Sequence, residues 1–130
     1  RRMAVIAWLL ASIGLGVLVF SAIGRSLESG TWDGFFTAGK AGRIFRPCGT
    51  RASWWVQNPA FEKTADELEE RYQEIASKPY DQVYVRFSGE VSRKGQYGPL
   101  GSYQRVVYVE EILEIREKQA GDCEKQDDED

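Results

Sequence analysis

Residues 54–87 read WWVQNPAFEKTADELEERYQEIASKPYDQVYVRF. The spacing of apolar residues changes twice within this stretch, and those changes decide the fold. Trp54, Trp55 and Val56 belong to a short β-like segment, Ala52 to Gln57. Asn58-Pro59 then ends it, because asparagine is a good helix N-cap and proline is pre-set for the first helical position. Phe61, Ala65, Leu68, Tyr72 and Ile75 follow at steps of four, three, four and three, which places them on one stripe of an α-helix. Glu62, Glu69, Glu70 and Glu74 fall off the stripe. Pro79 predicts an end to the helix by Ser77 or Lys78. Beyond Asp81, Val83, Val85 and Phe87 alternate with Tyr84, Arg86 and Ser88, a period of two that belongs to a strand.

Upstream, Gly30 to Thr37 is rich in aromatics and threonine and starts a first strand. Gly39 and Gly42 flank Lys40-Ala41 as a turn signal. Arg43 to Arg46 alternates polar and apolar residues as a second strand, and Pro47-Cys48-Gly49 breaks it. Downstream, Gly95 to Gly101 has the composition of a loop. Tyr103 to Tyr108 is β-like and continues towards Ile115, with Glu110-Glu111 interrupting the pattern as a bulge. The order is β-β-β-α-β-β. That order predicts a mainly β, five-stranded OB-like barrel with one helix between strands three and four, the helical stripe plugging one end. A ferredoxin-like fold fits less well, since only one helix is visible.

The chain begins RRMAVIAWLLASIGLGVLVFSAIGR, with no charge from Met3 to Gly24. A run of roughly 20 apolar residues is what a helix needs to cross a bilayer. Arg1 and Arg2 place its N-terminus on the cytoplasmic side. A cleaved signal peptide is the alternative, with Ala22-Ile23-Gly24 as the cleavage site, but secretory apolar cores run only about 7–15 residues. Residues 1–25 are therefore expected to be a single transmembrane anchor, touching membrane lipid through residues 3–24. Residues 26–30 form a linker, 31–123 the OB-like domain and 124–130 an acidic disordered tail. Because Arg1 is not an initiator methionine, the true N-terminus is expected upstream. Everything past Arg25 would face the periplasm of a bacterial inner membrane.

Formal net charge is -3 over the 130 residues, but the acidic tail carries Glu124, Asp127, Asp128, Glu129 and Asp130 against Lys125 alone. With the tail set aside the globular part is near neutral, so nucleic acid is not the expected partner.

Cys48 and Cys123 are the chain's two cysteines, and both lie on the exported side of the expected anchor. Small exported domains use disulfides to supplement a small core. The pair permits one intramolecular bridge. A metal or thiol site is the alternative. It lacks histidine, the local ligand spacing of zinc and copper sites, and a CxxC pair. No cofactor and no metal are expected.

Phe45-Arg46-Pro47-Cys48-Gly49-Thr50, followed by Trp54-Trp55-Val56, resembles the small OB-like domains of bacterial envelope proteins, the C-terminal domain of NlpE-type lipoproteins among them. Pro79-Tyr80, Val83-Tyr84-Val85 and Cys123 fit the same pattern. Those lipoproteins also carry a copper-linked CxxC and an acylated cysteine, which this sequence lacks, so copper sensing and lipid anchoring do not carry over. The resemblance implies a non-catalytic, envelope-associated module.

Lys40, Arg43, Arg46 and Arg51 lie in a stretch without acidic residues between Asp33 and Glu62, interleaved with Phe45, Trp54 and Trp55. Arginines beside exposed aromatics bind anionic ligands through charge and stacking. Arg43, Arg46, Arg51 and Trp55 are the candidate binding residues. The competing reading makes the arginines a solvated outer face, or a face towards anionic headgroups. Alternation requires one of Trp54 and Trp55 to point inward. No nucleophile-base pair and no phosphate-cradling glycine loop is readable. The expected function is a membrane-anchored periplasmic binding or interaction module with an envelope protein partner. The alternative is an accessory subunit of a larger membrane complex.

Overall fold

A computed structural model describes residues 27–124. Five strands and one α-helix follow the predicted order: β1 (Glu28–Gly39), β2 (Gly42–Pro47), β3 (Trp54–Gln57), α1 (Thr64–Ile75), β4 (Val83–Val91) and β5 (Val106–Glu117). All five strands lie in one sheet in the order β1-β2-β3-β5-β4, and β4 pairs back onto β1, closing a barrel. Every neighbouring pair is antiparallel except β3 with β5, which is parallel. The expected anchor over residues 1–25 and the tail beyond Glu124 lie outside the described residues. Among the described residues no helix is long and apolar enough to cross a membrane.

The two-residue turn at Lys40-Ala41 joins β1 to β2, with Gly39 opposite Gly42. Alternation then fills the interior: Phe36, Phe45, Phe87, Val85 and Val109 are fully buried. Phe45 meets Phe87 edge-on at 4.8 Å, and Trp54 closes over Phe45 at 5.9 Å. Of the tryptophan pair, Trp54 points inward and Trp55 outward.

The pairing of β4 with β5 shifts register twice, between Arg86 and Phe87 and between Ser88 and Gly89. The second shift leaves Glu110 unpaired, within the Glu110-Glu111 interruption expected of a bulge. Bulges bend a strand and sharpen its twist, which a small closed sheet requires. β1 begins at Glu28, so the segment read as a linker over 26–30 already contributes strand pairing, Glu28 opposite Val91.

The helix departs from expectation at its start. Phe61 is fully exposed and has a left-handed backbone, so it does not belong to the buried stripe. Pro59 begins a turn instead, its carbonyl accepting the Glu62 amide at 3.3 Å. Asn58 still caps the helix, but from a distance. Its Oδ1 accepts from the Ala65 and Asp66 amides at 2.8 and 3.2 Å. Asp66 and Glu67 in the first turn suit the positive end of the helix dipole. Ala65, Leu68 and Tyr72 are buried in the barrel's core cluster, with Ile75 packed against it. The helix stops at Ile75, before the expected Ser77 or Lys78, and the Asp81 carboxylate accepts both of those amides at 3.0 and 3.1 Å.

Candidate functional site

The bridge between Cys48 and Cys123 is present and spans 75 residues of sequence. It ties the turn after β5 to the end of β2. A second fastening lies beside it. Arg116 grips Asp122 with two hydrogen bonds, at 3.0 and 2.8 Å, and Glu114 with a third at 2.9 Å. The Arg116 guanidinium also lies 4.2 Å from the centre of the Tyr84 ring. Tyr84 in turn donates to Asp33 at 2.8 Å. Burial and the Asp33 carboxylate push the Tyr84 hydroxyl up to about 12. The hydrogen bonds from Arg116 hold Asp122 below the usual carboxylate range, and the same contacts raise Arg116. This outer face of β1, β4 and β5 is bound to the C-terminal turn.

The four candidate ligand residues do not form one site. Arg43 and Arg46 are three apart on a strand, so they point to opposite faces. Arg43 shares Phe45's face at the end of the barrel, where α1 supplies Asp66 at 2.6 Å and Glu69 at 2.9 Å. Burial works to lower its pKa, but the hydrogen bonds and charges of Glu69 and Asp66 outweigh it and raise it. Asp66 is held low by hydrogen bonds from Asn58 first and Arg43 second. Arg43 therefore fastens β2 to α1.

Trp55 is half-buried. Its indole packs over Gly42 of the hairpin and Gly98 of the β4–β5 loop, where a Cβ would come within 2.2 and 3.1 Å of the ring. Both glycines have positive φ, +123° and +72°, so a side chain there would be strained as well as obstructed. Tyr103 adds a tilted ring at 5.3 Å. Trp55 thus joins two loops across the outer face, and the surface it keeps lines an open pocket beside Arg43 and its partner Glu69. Arg51 is exposed in the connection between β2 and β3.

Arg46 has the setting expected of a ligand residue. It is exposed on the outer face of β2, opposite Phe35 of β1. Among the described residues no carboxylate pairs with it. It lies in a groove of about 450 Å³ lined also by Thr37, Ile44, Ser53, Tyr80, Gln82 and Tyr103. No carboxylate among the described residues lines this groove.

Most of this lining was not anticipated. Ile44 follows from parity once Arg46 is taken as outward, since the two are two apart on one strand, whereas Ser53 comes from the connection before β3. Tyr80 and Gln82 come from the helix–β4 connection, which no periodicity places, and Tyr103, expected to open the last strand, lies in the β4–β5 loop because β5 begins only at Val106. The 3-10 turn at Pro99–Gly101 folds that loop back, so that Tyr97 and Tyr103 pair across it. No three His, Cys, Asp or Glu side chains among the described residues gather as a metal site.

No protein-family model matches this chain, and neither does any curated protein or solved structure.

Proposed function

We propose that this chain is a membrane-anchored, extracytoplasmic binding module of the bacterial envelope, OB-like in fold and non-catalytic. Its ligand would sit in the Arg46 groove. The observation that carries the reading is that groove: a concave surface that no carboxylate of the described residues lines, beside an arginine that none of them pairs with. The strand order β1-β2-β3-β5-β4, with a helix between β3 and β4, supports the OB-like assignment. OB barrels bind ligands on the face of strands two and three and with the adjoining loops, and the groove draws on both. The Cys48–Cys123 bridge supports an oxidising compartment. The apolar run of residues 3–24 supports the inner-membrane anchor, and the short motifs around Cys48 support kinship with NlpE-type C-terminal domains.

A second reading is favoured by Phe61 and Leu100. Both are fully exposed, and both stand on left-handed turns. Two apolar side chains held out in this way suit a protein contact, as in an accessory subunit of a larger membrane complex.

Purifying the protein from its native membrane in mild detergent tests both readings. Retention of Arg25 joined to the upstream span, seen by mass spectrometry, is the expected result for the anchor. A mature N-terminus at Arg25 would remove it. A stable assembly with stoichiometric partners would favour the subunit, and a monomer that binds small anions would favour the module.

A further inference from the structure

The groove narrows the ligand to one chemical class. Two tyrosines, Tyr80 and Tyr103, line it together with Thr37 and Ile44 of the paired strands β1 and β2. Tyr80 is held in place from three directions. Its amide donates to Ala38 O at 3.2 Å, its ring covers Gly39, and its hydroxyl accepts the Ala41 amide at 2.6 Å. That last bond uses a lone pair of the hydroxyl and leaves its proton to donate. Tyr103 is braced by Trp55. Two braced aromatic side chains offer packing surface to the apolar C–H face of a ring at little entropic cost.

The polar lining consists of hydroxyls and an amide. Thr37 and Ser53 contribute hydroxyls. Gln82 accepts from Lys118 Nζ through Oε1 at 2.8 Å, which leaves its NH₂ end to donate. Groups that can both give and accept suit a ligand bearing several hydroxyls of its own. Among the described residues a single charged side chain, Arg46, lines the groove. A guanidinium presents a planar fork that matches one carboxylate in a bidentate pair. A polyphosphate or a nucleic-acid strand would call for several cations along a track, and the globular part is near neutral. The groove volume of about 450 Å³ falls within the roughly 300–1,000 Å³ range of small-ligand sites.

We propose that the groove binds an acidic saccharide. A pyranose ring packs against the tyrosines that line it, Tyr80 and Tyr103, and its carboxylate is held by Arg46. This rests on the binding-module reading above and specifies its ligand.

The test titrates the full chain, in mild detergent, with three probes. Trigalacturonate supplies ring and carboxylate. Its fully methyl-esterified form supplies the ring without the charge. Inorganic tripolyphosphate supplies charge without the ring. Isothermal titration and backbone amide shifts report binding. The expected result is saturable binding of trigalacturonate that shifts the Thr37, Ile44 and Arg46 amides. The methyl ester should bind about tenfold more weakly. Arg46→Gln should cause a similar loss. Ser53→Asp, which places a negative charge beside Arg46, should weaken binding at least as much while leaving the thermal transition intact. Tripolyphosphate binding tighter than trigalacturonate would overturn the saccharide assignment but leave an anion-binding module standing. Equal affinity for acid and ester would overturn the role of Arg46. Absence of binding by all three probes at millimolar concentration would overturn both the ligand and the module reading.

Discussion

Two outer faces of the same barrel treat their charges in opposite ways. On β1, β4 and β5, Arg116 spends its donors on Asp122 and Glu114, Tyr84 donates to Asp33, and the C-terminal turn is tied down by the Cys48–Cys123 bridge. Across β1, β2 and β3, Arg46 faces a groove without a carboxylate. Phe35 lies between them, with Arg46 opposite it on β2 and Lys118 4.7 Å from its ring centre. Where charges are paired, their work is to hold the chain's end against the barrel. Where a charge is unpaired, the fold gains nothing from it and a ligand can. A basic cluster in a sequence therefore has to be divided by partner before it is read as a site.

The bridge offers the largest test of this division. It closes a loop of 75 residues, for which chain entropy gives about 3–5 kcal/mol. Cys48→Ser should lower the melting temperature by on the order of 15 °C. Cys123→Ser should match it, and the double change should add little. Calorimetry of the three variants checks this. Two free thiols in unreduced protein from its native source would remove the bridge and the clasped face with it.

Next in size is Arg116→Ala, expected to cost about 1–2 kcal/mol through loss of its hydrogen bonds to Asp122 and Glu114 and its contact with Tyr84. Its effect should shrink in the Cys48→Ser background, because both fastenings hold the same turn. Strict additivity in a double-mutant cycle would show that the turn is not a shared element.

Two fastenings, the C-terminal clasp at Asp122 and the strand–helix tie at Asp66, should also respond to pH. Asp122 and Asp66 titrate below their usual value, so each contributes stability that is present above the unfolded pKa and lost as pH falls through the folded one. The loss should begin below about pH 5 and appear first as faster amide exchange at Gln119, whose N–H donates to Asp122. Tyr84 works in the other direction. Raised to about 12, it contributes stability below the unfolded value near 10 that fades as pH climbs between the two. Flat amide protection at Gln119 from pH 7 to 3 would contradict the assigned role of Asp122.

The order of elements was legible in the sequence because their periods differ: steps of three and four in α1, two in β2 and β4. The bulge near Glu110 showed as a break in alternation. The cysteine pair was legible by elimination. Phe61 was misplaced because its spacing continues the helical stripe by coincidence, while Pro59 and a left-handed turn take it out. Arg43 was misread because clustering in sequence was given more weight than strand parity. Asp66 and Glu69 reach Arg43 from 23 and 26 residues away, and local sequence does not carry that pairing. Tyr80 and Tyr103 entered the groove through loop geometry, which has no period to read.

The smallest expected effect is also the one that most sharpens the contrast. Arg46→Ala removes an exposed side chain that has no carboxylate partner among the described residues, so stability should change by less than about 0.5 kcal/mol. Arg43→Ala, only three positions away, should cost clearly more, because it breaks the strand–helix tie and leaves Asp66 and Glu69, neighbours on α1, without their shared cation. Urea unfolding of the two variants side by side measures the difference, with unchanged m-values confirming that the folded state is intact. If both arginines proved equally important to stability, Arg46 would have a structural partner, and the groove would lose the feature that marks it as a place for a ligand. If neither mattered, the strand–helix ion pairs would be solvated surface contacts of the kind that contribute nothing measurable. A destabilised Arg43 variant beside an unaffected Arg46 variant is the outcome that separates a charge used for folding from a charge left for binding.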